Sequence, residues 1–313
     1  MKKSNITLII VVIVLAIVVI YFISRSSFQS APAGDNPATT TGAVGTTGTT
    51  GSSASSTQNY GLTNGAVQVI GTSVGGNPIN AYHYGTGTST ELLFVGGIHG
   101  GYEWNTALVA YELMNYLQAN PNTIPANVRV TVIPVLNPDG LNKVVGTTTG
   151  NFTQADVSTS QATVVSGRFN GNNVDLNRNF DCDWQTSGKW QSTTVSGGSA
   201  AFSEPEAQAM KNFVATDNPT AVVVWYSAAG GVYASNCHNG VSVVTDALTK
   251  TYAAGSGYSA NESFDYYATT GDMTNWLAKI NVPAISILLT NHTDTEWSKN
   301  LAGIRAVLKY YAK

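Results

Sequence analysis

The sequence predicts an α/β domain in which a mixed, largely parallel twisted sheet carries helices on both faces. Two observations predict it. Short, nearly uninterrupted apolar runs at residues 91–99, 128–136, 221–226 and 284–290 have the length and β-branched content of strands buried on both sides. Between them lie segments with apolar residues at helical spacing, so strand and helix alternate as the crossovers of a parallel sheet require. Ligands of such a sheet bind beyond the carboxyl ends of its strands.

The domain does not begin at the first residue. Residues 6–23 read ITLIIVVIVLAIVVIYFI, an uncharged run of about the length needed to cross a ~30 Å hydrocarbon core as a helix. Lys2 and Lys3 precede the run and only Arg25 follows it closely, which places the N-terminus in the cytoplasm and the rest outside. The following SRSSFQSAPAG is a poor signal-peptidase site, so the run reads as a retained anchor. Residues 26–59 are mostly Ser, Thr, Gly, Ala and Pro, too polar and small to offset ordering entropy. They read as a tether with a reach on the order of 30 Å. The expected parts are residues 1–25 as stub and transmembrane anchor, 26–59 as flexible linker and 60–313 as one domain.

Composition agrees with an extracytoplasmic, membrane-anchored domain. Charged residues are 11% of the chain and hydrophobic residues 43%, leaving Ser, Thr, Asn and Gly to form the surface. The formal net charge is −3 with no basic cluster beyond Lys2 and Lys3, which excludes nucleic acid as a partner. Cys182 and Cys237 would both lie in an oxidising compartment, where pairing is the expected fate of two thiols.

Along the domain, two short alternating stretches, AVQVIG and INAYHYG, lead into the strand at 91–99, which ends in glycines. A helix follows over 103–119 and stops before Pro121. The β-branched strand at 128–136 closes on Asn137-Pro138-Asp139-Gly140, read as a turn. A helix over 204–215 opens on Ser203 as N-cap with Glu206 completing a capping box. The strand at 221–226, a long Gly/Ala/Asn/Ser loop, a helix at 272–279, the strand at 284–290 and a closing helix at 294–312 complete the order.

His99 stands at the carboxyl end of its strand and Glu103 at the start of the next helix, with a glycine pair between them. Both types coordinate zinc at about 2 Å, and the glycines let the chain bend around an ion. Further on come Asn137-Pro138-Asp139-Gly140, Arg168-Phe169-Asn170, Val174-Asp175-Leu176-Asn177-Arg178-Asn179-Phe180 and Ser203-Glu204-Pro205-Glu206. In this order, across nearly the whole domain, the series resembles the M14 zinc carboxypeptidases. The resemblance implies a Zn²⁺ cofactor, with His99 and Glu103 as metal ligands. It implies that Asn177 and Arg178 grip the terminal carboxylate of a peptide substrate, a task suited to a planar guanidinium, and that Arg168 polarises the scissile carbonyl. Tyr267 matches the family's lid tyrosine. Asp272, Met273 and Thr274 fall near the floor of the side-chain pocket, where Asp272 would favour a terminal residue bearing an amino group.

The pattern also breaks. The family spaces its first ligands H-x-x-E, and here Gly100, Gly101 and Tyr102 add one residue. Its third ligand is a His, for which the strand at 221–226 offers Trp225; its general base is a Glu, for which the last strand offers Leu288. Indole does not coordinate zinc and an aliphatic side chain takes no proton. His238 and His292 are the substitutes for the third ligand, with Asp294 and Glu296 near the base position. Two readings follow. The first is a zinc-dependent carboxypeptidase acting on the C-terminal end of extracytoplasmic peptides or cell-wall stem peptides. The second is an inactive module that holds a peptide C-terminus on the same fold.

Overall fold

The computed structural model describes residues 67–313; the expected anchor and tether lie outside them. Among the described residues no helix is long and apolar enough to cross a membrane. The strands are β1 (Gln68–Thr72), β2 (Pro78–Tyr84), β3 (Thr90–Val95), β4 (Val128–Ile133), β5 (Ser187–Trp190), β6 (Thr193–Ser196), β7 (Ala221–Ser227), β8 (Gly231–Ala234), β9 (Ala260–Asn261) and β10 (Ala284–Leu289). The α-helices are α1 (Trp104–Ala119), α2 (Pro138–Val145), α3 (Gln161–Ser166), α4 (Pro205–Asp217), α5 (Val243–Ser256), α6 (Met273–Lys279) and α7 (Trp297–Tyr311). The main sheet runs β1-β2-β4-β3-β7-β10-β8-β9. Its centre, β4-β3-β7-β10, is parallel, and β2 and β8 join it antiparallel. The expected mixed, largely parallel sheet is therefore present, and β5 and β6 form a separate hairpin.

Alternation along the central strands divides the core. Leu92 and Phe94 face one layer, with α1, α5 and α7 behind them; Leu93 and Val95 face the other, with α4 and α6. Because side chains alternate along a strand, Trp225 packs in the first layer and Val224 and Tyr226 in the second.

Several elements differ from the sequence reading. The segment at 137–140 is not a turn but the opening of α2. Asn137 caps it by accepting from Gly140 N at 2.9 Å, and Pro138 occupies the first turn. The same residues serve both conformations, and burial of Leu141, Val144 and Val145 decides for the helix. Helix α5 lies within the stretch read as loop; Ser242 caps it and Leu248, Tyr252 and Ala253 are buried. The capping box expected on Ser203 is absent. Glu204 is the N-cap without a side-chain bond, Pro205 starts α4, and Ser203 Oγ donates to Glu204 Oε1. Glu206 instead accepts from Val74 N and Asn170 Nδ2.

Candidate functional site

The carboxyl ends of β3, β7 and β10 open into a cavity of about 200 Å³ lined by His99, Glu103, Arg168, Arg178, Tyr226 and Leu288, among others. The extra residue between His99 and Glu103 is absorbed by a tight 3₁₀ turn, Gly100–Glu103. Gly100 has φ of +46°, and a Cβ there would sit 2.8 Å from Gly140 Cα, so this turn needs glycine. The turn sends Tyr102 outward and brings His99 Nδ1 to 2.9 Å from Glu103 Oε1. That approach lacks hydrogen-bond alignment: both ring nitrogens of His99 and Glu103 Oε2 are buried without a hydrogen-bond partner.

Behind this pair lies Asp175, fully buried, with Oδ1 3.4 Å from His99 Nε2 and Oδ2 accepting from Arg168 Nε at 2.9 Å. Arg168 Nη1 is 3.7 Å from Glu103 Oε1. Burial alone would raise the Asp175 carboxyl, but Arg168, then His99 and Arg178, hold it well below the usual carboxylate range. The Arg168 guanidinium is covered by Trp190 at 4.7 Å and Tyr102 at 5.7 Å, cation–π contacts that fix its plane.

Arg178 is buried to 1% exposure and donates Nε and Nη2 to Lys189 O and Nη1 to Asn177 O. A guanidinium has five N–H donors; these bonds use three, leaving one hydrogen on each terminal nitrogen, the pair that a bidentate carboxylate needs. The φ of +68° at Gly271 lets that loop lie directly on the Arg178 backbone. Tyr267 stacks at 5.8 Å from the Arg178 guanidinium; burial raises its pKa, against the opposing pull of Arg168 and Arg178. Asn177 donates to Asp272 Oδ2 at 2.7 Å while its Oδ1 accepts from Met273 N at 3.0 Å and Tyr226 OH at 3.4 Å. Asp272 caps α6, its Oδ1 accepting from Asn275 N and Thr274 Oγ1. Thr274 Oγ1 also meets Ser286 Oγ at 3.1 Å, and all three line the cavity. Asp272 is thus a helix cap first, with much of its acceptor capacity engaged.

The expectation for Trp225 is corrected. Its indole points away from the cleft, into the layer of α5 and α7, where Nε1 donates to Asn300 Oδ1 at 3.1 Å. The residue facing His99 is Tyr226, with ring centroids 5.6 Å apart. Burial, with Asp272 and Glu103 nearby, keeps its phenol protonated far above the ordinary range. Leu288 faces the cleft as expected. His238 is not brought to the cluster; it is exposed, and its Nε2 meets Asp183 Oδ1 at 2.8 Å. His292 lies at the outer end of the cleft beside Tyr102, with Nδ1 2.9 Å from Ser227 Oγ. Asp294 and Glu296 are engaged in the loop before α7, where Glu296 accepts from Thr290 N and Tyr258 OH.

Among the described residues, no group of three His, Cys, Asp or Glu side chains could hold a metal ion. Catalytic zinc takes three protein ligands, and the residues present supply two in suitable juxtaposition, so they do not complete that donor set. Sequence reasoning missed the roles of Tyr226, Trp190 and Ser227. Strand alternation puts Tyr226 on the face opposite Trp225, but β7 is buried along its whole length and offers no polar residue to set the phase from sequence.

The model of the family described as zinc carboxypeptidase matches residues 63–297. Among solved structures, the murein-tripeptide amidase MpaA from Escherichia coli O157 is 22% identical with a TM-score of 0.58, covering 82% of this chain and 97% of its own. Bovine thrombin-activatable fibrinolysis inhibitor, in complex with tick carboxypeptidase inhibitor, is 14% identical with a TM-score of 0.61, over 78% and 89%. Carboxypeptidase A from Helicoverpa armigera is 17% identical with a TM-score of 0.61, over 79% and 69%. These likenesses are of fold. Among curated proteins none matches the sequence.

Proposed function

Since the chain belongs to the zinc carboxypeptidase family, we propose that its domain holds the C-terminal carboxylate of a peptide without cutting the last bond. The observation that carries this reading is the pair Tyr226 and Leu288, which face the cleft beside His99 where the family resemblance asks for a zinc ligand and a general base. A protonated phenol bonded to Asn177 and an aliphatic chain supply neither. The binding half of the site is intact. Arg178 offers two hydrogens to the carboxylate, Asn177 a further N–H, Arg168 a fixed guanidinium for the preceding carbonyl, and Tyr267 a ring over the ligand. Asp272 and Thr274 give the side-chain pocket a polar floor, and Asp272 retains some attraction for a terminal amino group.

The ligand class proposed first is an extracytoplasmic peptide, with cell-wall stem peptides as the leading case because one fold neighbour is a murein-tripeptide amidase. The run at residues 6–23 would anchor the chain and residues 26–59 would tether the domain outside the membrane. The Cys182–Cys237 disulfide supports an oxidising compartment.

A second reading, hydrolysis through zinc held by His99, Glu103 and a third group, is favoured by one observation: the buried nitrogens of His99 and Glu103 Oε2 lack hydrogen-bond partners, as donors reserved for an ion would. One experiment separates the two. The full chain in detergent is incubated with a peptide, its C-terminally amidated form and added zinc; binding is followed by anisotropy, release of the last residue by mass spectrometry, and metal content by elemental analysis. Carboxylate-dependent binding with the peptide left intact supports the binding module. Chelator-sensitive release with stoichiometric zinc overturns it in favour of the hydrolase.

A further inference from the structure

At the outer end of the cleft a chain of hydrogen bonds serves none of the roles above. Asn105, fully buried on α1, donates through Nδ2 to two carbonyls of the loop after β10, Asn291 O at 2.8 Å and Asp294 O at 3.0 Å. These carbonyls fix the orientation of the amide, because the flipped form would set its oxygen against both of them. Asn105 Oδ1 can then only accept, and it accepts from Ser227 Oγ at 3.1 Å.

Ser227 has a single hydroxyl hydrogen. With that hydrogen engaged by Asn105, its oxygen meets His292 Nδ1, 2.9 Å away, as an acceptor. His292 is therefore the Nδ1–H tautomer, and Nε2 is a bare acceptor. Burial lowers the pKa of the ring, with Glu103 opposing and His99 and Arg168 adding to the lowering, which favours the neutral imidazole. Tyr102 packs against it with centroids 4.8 Å apart. His292 lines the outer groove together with Trp190, Ala228 and Tyr266, and among the described residues nothing hydrogen-bonds to its Nε2.

We propose that His292 is a specificity-determining residue whose Nε2 accepts a hydrogen bond from a backbone N–H of the ligand upstream of its terminal residue. Asn105 and Ser227 are positioning residues that hold the tautomer. The ligand class is then a peptide with an unsubstituted secondary amide at that position, and proline or an N-alkylated residue there is rejected. This rests on the reading of the cleft as a site for a peptide C-terminus.

The test uses the full chain in detergent and a labelled tetrapeptide with a free C-terminus, its C-terminal amide, and isomers methylated at each upstream amide nitrogen. One methylated isomer is expected to bind about tenfold more weakly than the parent, the loss of one buried hydrogen bond. In His292→Phe, which keeps a ring beside Tyr102 but has no acceptor, that ratio is expected to fall to about one, because no hydrogen bond is left to lose. No sensitive isomer, or a penalty that persists in His292→Phe, overturns the proposal. Long-range proton–nitrogen spectra of the ring give an independent readout: Nδ1 protonated in the wild type and mixed tautomers in Ser227→Ala are expected, and Nε2 protonated in the wild type overturns the assignment. If amidating the terminus costs no affinity, the carboxylate reading fails by itself, and the spectra still decide the tautomer.

Discussion

Leu288 of β10 is the register partner of Tyr226 of β7, and both side chains enter the cleft beside His99. Paired residues of adjacent strands share a face, so the departures at the third-ligand and general-base positions form one contiguous patch. Around the patch lie the 3₁₀ turn that absorbs the extra residue between His99 and Glu103, Asp175 behind them, and the buried Arg168 and Arg178.

The first prediction follows from that confinement. Tyr226→His combined with Leu288→Glu completes a donor set of two histidines and a glutamate and adds a carboxylate base. Elemental analysis is expected to find about one zinc per chain, with release of C-terminal residues from a peptide; neither single variant does both. A folded double variant that takes up no zinc would mean that the defect extends beyond these two positions.

Much of this site was legible in the sequence because it depends on local order. The run Asp175-Leu176-Asn177-Arg178 is one short turn, so its groups converge wherever the family motif is recognised, and Leu288 was placed by matching the last strand to the family pattern. Tyr226 was not legible in the same way. Trp225 and Tyr226 are both large and aromatic, and the phase of a strand buried on both faces leaves no polar alternation to read. Helix α5 was missed for a related reason: Ala, Thr, Ser and Gly dominate it, and its burial against α7 outweighs weak propensity. The Asn105–Ser227–His292 chain joins three distant segments and has no sequence signature.

A second prediction concerns the carboxylate grip. Arg178→Lys keeps the charge but removes the fork and its bonds to Lys189 O. Affinity for a free-carboxylate peptide is expected to fall by about tenfold or more, while the already weak binding of the amidated peptide changes little. Equal losses for both peptides would place Arg178 in support of the fold rather than in contact with the ligand.

The third prediction concerns the buried ion pair. Asp175→Asn leaves Arg168 buried with only Glu103, 3.7 Å away, as counter-charge, and should cost about 3–5 kcal/mol at neutral pH, read from urea midpoints. A carboxyl whose folded pKa is depressed contributes its full stability above the unfolded value, about 3.9, and loses it as pH falls from there toward the folded pKa. The gap between wild type and variant is therefore expected to hold from neutral pH down to about 4 and to narrow only below that. A gap that closes already near pH 6 would contradict the depressed pKa.

The last prediction concerns Cys182–Cys237, which joins positions 55 residues apart. Cys182 O accepts from Gly271 N at 2.7 Å, and Gly271 O from Phe180 N, so the loop carrying Arg178 is docked on the segment before α6. Cys237 follows Asn236, whose N–H donates to Asn275 Oδ1 on α6. The bridge thus ties two walls of the same cavity and, in the chain-entropy model, restricts the unfolded chain by about 4 kcal/mol. Replacing both cysteines by serine is expected to lower the urea midpoint accordingly, and thiol titration of the native wild type should detect no free cysteine until reductant is added. Because hydrogen bonds through Gly271 and Asn275 hold both walls independently, the variant should keep its carboxylate-dependent binding at temperatures where it remains folded. Loss of binding in a folded variant would assign the bridge to the shape of the pocket rather than to stability.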